Sequence, residues 1–196
     1  MQPIWLMGHT RPVRQVLHNY DGDLLFTCSD DSKVCMYDTY QCTRSGTFNT
    51  GSACNSIDLT KDSKYLLAAA AVTGVCIFNV ATGEKVAEIE VPGNLAVTTK
   101  LAFGDKLFFC MYKHEKYSVI RVYELAEALK CGTTDTPKHV KEIRSFSDNV
   151  YTHAIWGALN KTIYACTNAG KLLSIDYASG KTLKEMNIHK SEIYQI

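Results

Sequence analysis

A unit of about 41 residues recurs along this chain, and no other feature constrains the fold as strongly. In the first copy, two apolar runs are separated by a short polar turn. The same pattern returns 41 residues later, so that Cys35 corresponds to Cys76. Self-similarity at a fixed period indicates one supersecondary unit stacked several times. The paired runs of the four copies are 22–28 with 33–38, 63–69 with 74–79, 106–110 with 119–124, and 162–166 with 172–176.

Within each unit the pattern is that of short β-strands. Runs rich in β-branched, aromatic and Leu residues alternate with turn clusters such as Asp21-Gly22-Asp23 and Lys61-Asp62-Ser63. A period of about 40–45 residues is that of a four-stranded β-propeller blade. We therefore predict an all-β fold and a single partial propeller domain over 1–196. Its four blades are predicted over about 8–48, 49–91, 92–144 and 145–188, with the start of a fifth blade over 189–196.

Two insertions lengthen the third unit. Helical periodicity over Leu125–Lys130 predicts a short helix before Gly132. Residues 126–142 are predicted to form a surface loop, and residues 113–117 a longer hairpin. Loops of this kind often carry contacts on a rigid scaffold, but tolerated solvent loops explain both insertions equally well.

The charge balance argues against a protein whose main task is to bind phosphate groups. Lys and Arg total 21 and Asp and Glu total 20, which gives a formal net charge of +1, whereas nucleic-acid-binding domains usually carry a basic excess. We therefore do not expect direct nucleic-acid binding. One basic stripe remains, and a solvated loop is its more common explanation. Its members are Lys130, Lys138, His139, Lys141 and Arg144.

The apolar runs are too short for a membrane protein. None approaches the roughly 18 residues that span a bilayer, and the N-terminus lacks the pattern of a signal peptide. Apolar residues make up 46% and charged residues 21% of the chain, which is typical of a soluble globular domain. We expect a cytoplasmic protein without a membrane partner.

Neither the cysteines nor the histidines follow the spacing of a metal or catalytic site. None of the eight cysteines forms a C-x-x-C pair, and several lie inside apolar runs, where a thiol packs as a small apolar group. We therefore expect no structural disulfide. A nucleophilic Cys110 or Cys166 would need a paired histidine, and the chain has no Gly-x-Ser-x-Gly elbow or phosphate loop. The sequence predicts a non-enzyme without a catalytic, metal or cofactor site.

Unit one resembles the WD repeat. Gly8-His9 precedes Tyr37-Asp38, and the tight turn between them contains Ser29 and Asp31. In that family a His, a Ser or Thr, the Asp of the turn and a closing Trp form a hydrogen-bonded network inside a blade. The resemblance implies a structural network of His9, Ser29, Asp31 and Tyr37, altered because Tyr offers a hydroxyl where Trp offers an indole N–H.

The other units depart from this motif. Unit two has Asn49-Thr50 at the Gly-His position, and Ala70 and Val72 replace the Ser and the Asp. Unit four keeps Thr167 but has Ala169 where the Asp belongs. We expect these blades to rely on apolar packing instead of the network.

A closer resemblance covers the whole chain in register, although unit two is divergent. Residues 1–9 with 22–27, and 154–159 with 170–181, are similar to the WD-repeat subunit of eukaryotic translation initiation factor three that is lettered i. This implies a seven-bladed scaffold without catalysis that binds the C-terminal region of subunit b and the RNA-binding subunit g, and contacts the small ribosomal subunit only indirectly. No partner-binding residue is implied for this chain. The alternative is a WD-repeat adaptor of another pathway, such as signalling.

Length sets a further expectation. Seven blades need roughly 300 residues, so we expect this chain to be the N-terminal part of a longer propeller. The first strand, about Pro3–Met7, would then complete the last blade. If the polypeptide ended at Ile196, the apolar outer faces of units one and four would be expected to self-associate.

Overall fold

Four antiparallel sheets of four strands each make up the protein, as the repeat predicts. The computed structural model describes residues 4–91, 93–145 and 149–194. In each sheet the strands pair in chain order, so every sheet is a meander. The all-β, propeller-type architecture is thus confirmed.

The strand bounds follow the four repeats. Sheet one contains β1 (Val13–His18), β2 (Leu24–Ser29), β3 (Lys33–Asp38) and β4 (Thr43–Asn49). Sheet two contains β5 (Cys54–Leu59), β6 (Tyr65–Ala70), β7 (Gly74–Asn79) and β8 (Lys85–Ile89). Sheet three contains β9 (Leu95–Leu101), β10 (Leu107–Lys113), β11 (Ser118–Glu124) and β12 (Lys141–Arg144). Sheet four contains β13 (Tyr151–Trp156), β14 (Thr162–Thr167), β15 (Lys171–Asp176) and β16 (Thr182–Asn187).

Apolar side chains fill the three spaces between consecutive sheets, because every inner sheet is apolar on both faces. In β6, Leu66 and Ala68 pack towards sheet one, whereas Leu67 and Ala69 pack towards sheet three. Side chains alternate across a strand, so an unbroken apolar run can serve two neighbours at once. The third layer joins sheets three and four around Phe109. In the described residues no apolar layer joins sheet four to sheet one, and the sheets form an open arc.

The insertions of sheet three behave differently from each other. The predicted hairpin extension is confirmed, since β10 ends at Lys113 and β11 begins at Ser118. The predicted helix is also present, as α1 (Leu125–Cys131). It is not a solvent loop, because Leu125 and Ala128 are buried in the layer between sheets two and three. Only the segment after α1, up to β12, fits the predicted surface loop.

Each first strand carries a β-bulge at the same place. The register shifts lie between Val13 and Gln15 in β1, between Cys54 and Ser56 in β5, and between Tyr151 and His153 in β13. The bulge in β9 is opposite Met111 and Tyr112 of its partner β10, where the register shifts by one residue. A bulge leaves one residue outside the ladder and redirects its side chain. These extra residues are Arg14, Asn55, Val97 and Thr152.

The ends of the described chain form no strands. Residues 8–12 lie against the outer face of sheet one before β1 begins. The strand expected at about Pro3–Met7 is not formed at residues 4–7, and Pro3 lies outside the described residues. Residues 188–194 follow β16 without strand structure, and residues 195–196 of the expected fifth blade lie outside the described residues. All eight cysteines are free thiols.

Truncation of a residue in these layers should be costly. Leu66 is fully buried between sheets one and two, so we expect Leu66→Ala to lower the free energy of unfolding by about 2–4 kcal/mol through lost burial and a residual cavity. Urea denaturation measures the change. Val72→Ala, at an exposed turn of the same sheet, is the control and should cost under about 0.5 kcal/mol. A loss below about 1 kcal/mol at Leu66 would contradict this packing.

Candidate functional site: the blade-one network and the axial cleft

The β2–β3 turn presents one carboxylate to several donors. Ser32 adopts a left-handed φ of 66°, which tightens the turn and points Asp31 back towards the segment that precedes β1. Asp31 accepts hydrogen bonds from the Thr10 amide at 3.0 Å and the Lys33 amide at 3.2 Å. The carboxylate therefore ties the turn to residues before the first strand.

His9 bridges this carboxylate to strand β2. Its Nδ1 lies 3.0 Å from an Asp31 oxygen, and its Nε2 lies 2.7 Å from the Thr27 hydroxyl. The side chains of His9 and Asp31 are only 6% and 5% exposed. A neutral ring that donates from Nδ1 has Nε2 free to accept the Thr27 hydroxyl proton. The ring is thus fixed at both nitrogens in a nearly dry site.

The electrostatics of Asp31 follow from these contacts. Burial by itself favours the protonated acid, but hydrogen bonds from the Thr10 amide and from His9 outweigh it and lower the pKa of Asp31. The folded protein therefore stabilises the carboxylate form.

Ser29 occupies a different place from the one the motif implies. Its hydroxyl donates to the Arg11 carbonyl at 3.0 Å and accepts the Asp31 amide at 3.2 Å, whereas the ring partner is Thr27. Both residues lie on the outer face of β2, because side chains two apart share a face. The two-residue spacing places Thr27 on the same face as Ser29, but the family motif pointed to Ser29 alone.

Tyr37 closes the network against Gly8. A Cβ at position 8 would overlap the Tyr37 hydroxyl, so glycine is required for this approach. Burial, followed by the neighbouring Cys35 thiol, raises the pKa of Tyr37, and the Thr27 hydroxyl beside it acts in the opposite direction. The Cys35 Sγ also lies 3.7 Å from the Gly8 carbonyl oxygen. Gly8 and His9 together hold the N-terminal segment on the outer face of sheet one.

Sheet two builds a substitute for the missing motif. The Ser52 hydroxyl accepts the amides of Val72 and Thr73 at 3.1 and 3.2 Å, in the turn where the motif would place an Asp. The Cys76 thiol donates to the Thr50 carbonyl at 3.8 Å, as Cys35 does to Gly8. The expectation that this blade relies on apolar packing alone is therefore incomplete, because the Ser52 hydroxyl, which precedes β5, also holds the β6–β7 turn in place.

Side chains also link the first strands of neighbouring sheets. Gln15 donates to the Ile57 carbonyl and accepts the Ile57 amide, both at 3.0 Å. Asn55 donates to the Ala96 carbonyl at 2.8 Å, and the Trp156 indole donates to the Lys100 carbonyl at 3.0 Å. These bonds satisfy backbone groups that have no strand partner on the inner side. They hold the four first strands together around a common axis.

The first strands, together with Lys113 of β10 and with Glu192 and Tyr194, line a cleft of about 410 Å³ at the axis. Burial and the nearby Lys100 ammonium lower the pKa of His153 to about 4, so its ring is neutral at neutral pH. Within the part of the chain that the structure describes, no group of His, Cys, Asp or Glu residues could hold a metal ion. The lining residues are Arg14, Gln15, Asn55, Ser56, Val97, Thr98, Lys113, Thr152, His153, Glu192 and Tyr194.

Comparison with known proteins places this geometry in a family context. The family model "WD domain, G-beta repeat" matches residues 2–38, the stretch that contains the whole network. Proteins named eukaryotic translation initiation factor 3 subunit I match nearly the full chain. The identity is 26% over 97% of the chain for Schizosaccharomyces pombe, 29% over 100% for Xenopus tropicalis and 28% over 100% for Homo sapiens. The chain is thus similar to these subunit I proteins along nearly its whole length. It spans 58–60% of their length.

Solved structures support the fold assignment of this WD-repeat chain. The β-propeller domain of Cps50 (Swd1) from Myceliophteria thermophila superposes with a TM-score of 0.74 at 16% identity, over 94% of this chain and 58% of that one. Kuenenia stuttgartiensis hydrazine synthase gives a TM-score of 0.79 at 18% identity, over 97% and 54%. At such identities the likeness shows the propeller fold alone.

Replacing the Asp31 carboxylate with an amide should lower the stability of the folded protein in a pH-dependent way. Asp31→Asn removes hydrogen bonds to a charged acceptor, and we expect it to lower the free energy of unfolding at pH 7 by about 1.5–3 kcal/mol. Because the pKa of Asp31 is lowered by folding, its contribution is complete above the ordinary value of about 3.9 and is lost as the pH falls through the lowered value. Denaturation curves from pH 7 to 3 should show the difference shrinking below about pH 4.

The matched control for Asp31→Asn is the same substitution at the adjacent Asp30. Asp30 pairs with Arg14 at 2.6 Å on the surface, so Asp30→Asn should cost under about 1 kcal/mol. Equal losses for the two variants at pH 7 would contradict a special role for the network.

Proposed function

We propose that this chain is a non-catalytic protein–protein interaction scaffold of the eukaryotic translation initiation factor 3 complex. The observation that carries the proposal is the similarity to subunit I proteins over 97–100% of the chain. Its partners are the other subunits of that complex, namely the C-terminal region of subunit b and subunit g, and through them the small ribosomal subunit in the cytoplasm. The similarity to subunit I disfavours the alternative, a WD-repeat adaptor of another pathway.

The state of the thiols supports a role without chemistry. Burial raises the pKa of Cys110 to about 12 and also raises the pKa of Cys166. A nucleophilic cysteine needs the opposite shift, since the thiolate is the reactive form. These were the two candidate nucleophiles of the sequence, and both are buried apolar side chains.

The charges of the basic stripe support protein partners over RNA. Lys130 pairs with Glu127 at 3.5 Å, Arg144 pairs with Glu142 at 2.6 Å, and the Lys141 ammonium donates to the Ala178 carbonyl at 2.7 Å. His139 also lies 3.9 Å from Glu142. Binding of RNA requires cationic side chains that are free to replace the counterions around its phosphate groups. In the described residues only Lys138 of this stripe has no such partner.

Affinity purification tests the proposal. We expect a tagged form of the protein, expressed in its own cells, to recover subunits b and g of initiation factor 3. Recovery should survive nuclease treatment, because the contacts are between proteins. A tagged WD-repeat protein of another complex is the control. Recovery of signalling proteins without initiation factor subunits would favour the alternative.

A further inference from the structure

The turns between the first and second strands present exposed apolar side chains at one end of the sheets. All four sheets have the same antiparallel order, so these turns share one face of the arc. Tyr20, Phe103 and Leu159 stand at the tips of three of them and are 72%, 80% and 71% exposed. Single exposed apolar residues are common on protein surfaces, but Tyr20 and Phe103 line one shared pocket on this face.

The Phe103 turn is held from both neighbouring sheets. The Asn160 side chain accepts the Phe103 amide and donates to the Phe103 carbonyl, both at 2.8 Å. From the other side, Asp105 accepts the Lys61 amide at 2.7 Å. Leu159 and Asn160 have left-handed φ values of 53° and 58°, which non-glycine residues adopt only where the surroundings impose them. The aromatic ring is therefore presented to solvent from a fixed backbone.

A pocket opens on each side of Phe103. The larger one, of about 710 Å³, runs from Phe103 to Leu107 and α1, where Leu125 and Leu129 form an apolar wall. The smaller one, of about 280 Å³, is shared with Tyr20 on the side of sheet one. The larger volume lies in the range that accommodates a ligand side chain or a short peptide segment. We call it the turn-face pocket.

Acidic groups outnumber basic groups by two to one among the residues that line the turn-face pocket. Asp105 and Glu124 contribute carboxylates, and neither makes an ion pair with another described residue. Lys106 is the only cation among the described lining residues. Such a lining attracts a cationic partner and repels phosphate groups.

We propose that the turn-face pocket binds a segment of a partner protein that places one large apolar side chain against Phe103 and Leu129, with an adjacent Lys or Arg near Asp105 and Glu124. The anchor fills a preformed apolar pocket, and the cation meets two carboxylates that make no ion pair with another described residue. Preorganised aromatic and apolar groups bind at low entropic cost. The inference rests on the proposed scaffold function, because it supplies one surface for that role.

Three short peptides test the chemistry directly. The probes are acetyl-Gly-Leu-Phe-Lys-Arg-Gly-amide, its acidic counterpart with Glu-Asp in place of Lys-Arg, and acetyl-Gly-Ser-Ser-Lys-Arg-Gly-amide without the anchor. Titrations into nitrogen-15-labelled protein, followed by backbone amide shifts, report the site of binding. We expect the first peptide alone to shift the amides around Phe103, Leu125 and Asn160. Equal binding of the acidic or anchor-free peptide, or shifts elsewhere only, would overturn the proposal.

Surface substitutions separate the apolar and charged contributions. We expect Phe103→Ser to weaken the first peptide at least about tenfold and Glu124→Gln to weaken it roughly threefold. Tyr40→Ser is the matched control, because Tyr40 is 83% exposed and lines neither pocket. An equal effect of Phe103→Ser and Tyr40→Ser, or binding of an oligouridine RNA at these same amides, would contradict the proposal.

Purification from cells distinguishes this proposal from the scaffold function itself. If the scaffold function fails, the unaltered protein does not recover initiation factor subunits. If only the turn-face pocket fails, the unaltered protein recovers them and Phe103→Ser recovers the same set in the same amounts as Tyr40→Ser. Loss of at least one partner from Phe103→Ser alone supports the pocket.

Discussion

The stacking of sheets that are apolar on both faces underlies the rest of this structure. A single four-stranded meander cannot bury two apolar faces by itself, so sheets two and three each need a neighbour on both sides. Strand β6 shows this most clearly, since consecutive residues Leu66 and Leu67 belong to different layers. The polar features described above occupy space that the layers leave, at the turns, along the axis or on the outer face of sheet one. A change in one layer is therefore felt by two sheets at once.

Much of this fold could be predicted from the sequence because the period and the apolar runs are physical consequences of the stacking. Of ten residues that this pattern places in the core, eight are buried: Phe26, Val34, Leu66, Ile77, Phe108, Val122, Ile163 and Leu173. Leu25 is half-buried because it lies on the outer face of sheet one, opposite Phe26. Met36 is half-buried because its cross-strand neighbour is Gly46, which has no side chain to cover it.

The polar part of the site was harder to predict. The motif identified His9 and Asp31 because their spacing brings a ring and a carboxylate to one turn. It did not identify Thr27, since two hydroxyl residues share that strand face and only the backbone path decides which one meets the ring. Ser52 could not be found by comparison with a motif at all, because it reaches the turn from a different position in the chain. The partners of polar side chains such as Thr27 and Ser52 depend on the local path of the backbone, whereas the apolar layers follow from the period of the sequence.

The bulge at the same place in each first strand has a consequence for how such a molecule can diversify. Because Arg14, Asn55, Val97 and Thr152 lie outside the ladder and line the axial cleft, their identities are decoupled from the strand register. The four positions already differ in charge, size and polarity while the sheets around them remain alike. Each blade thus contributes one residue outside the ladder to the axial cleft, and the chemistry of the axis can change without a change in the strand register.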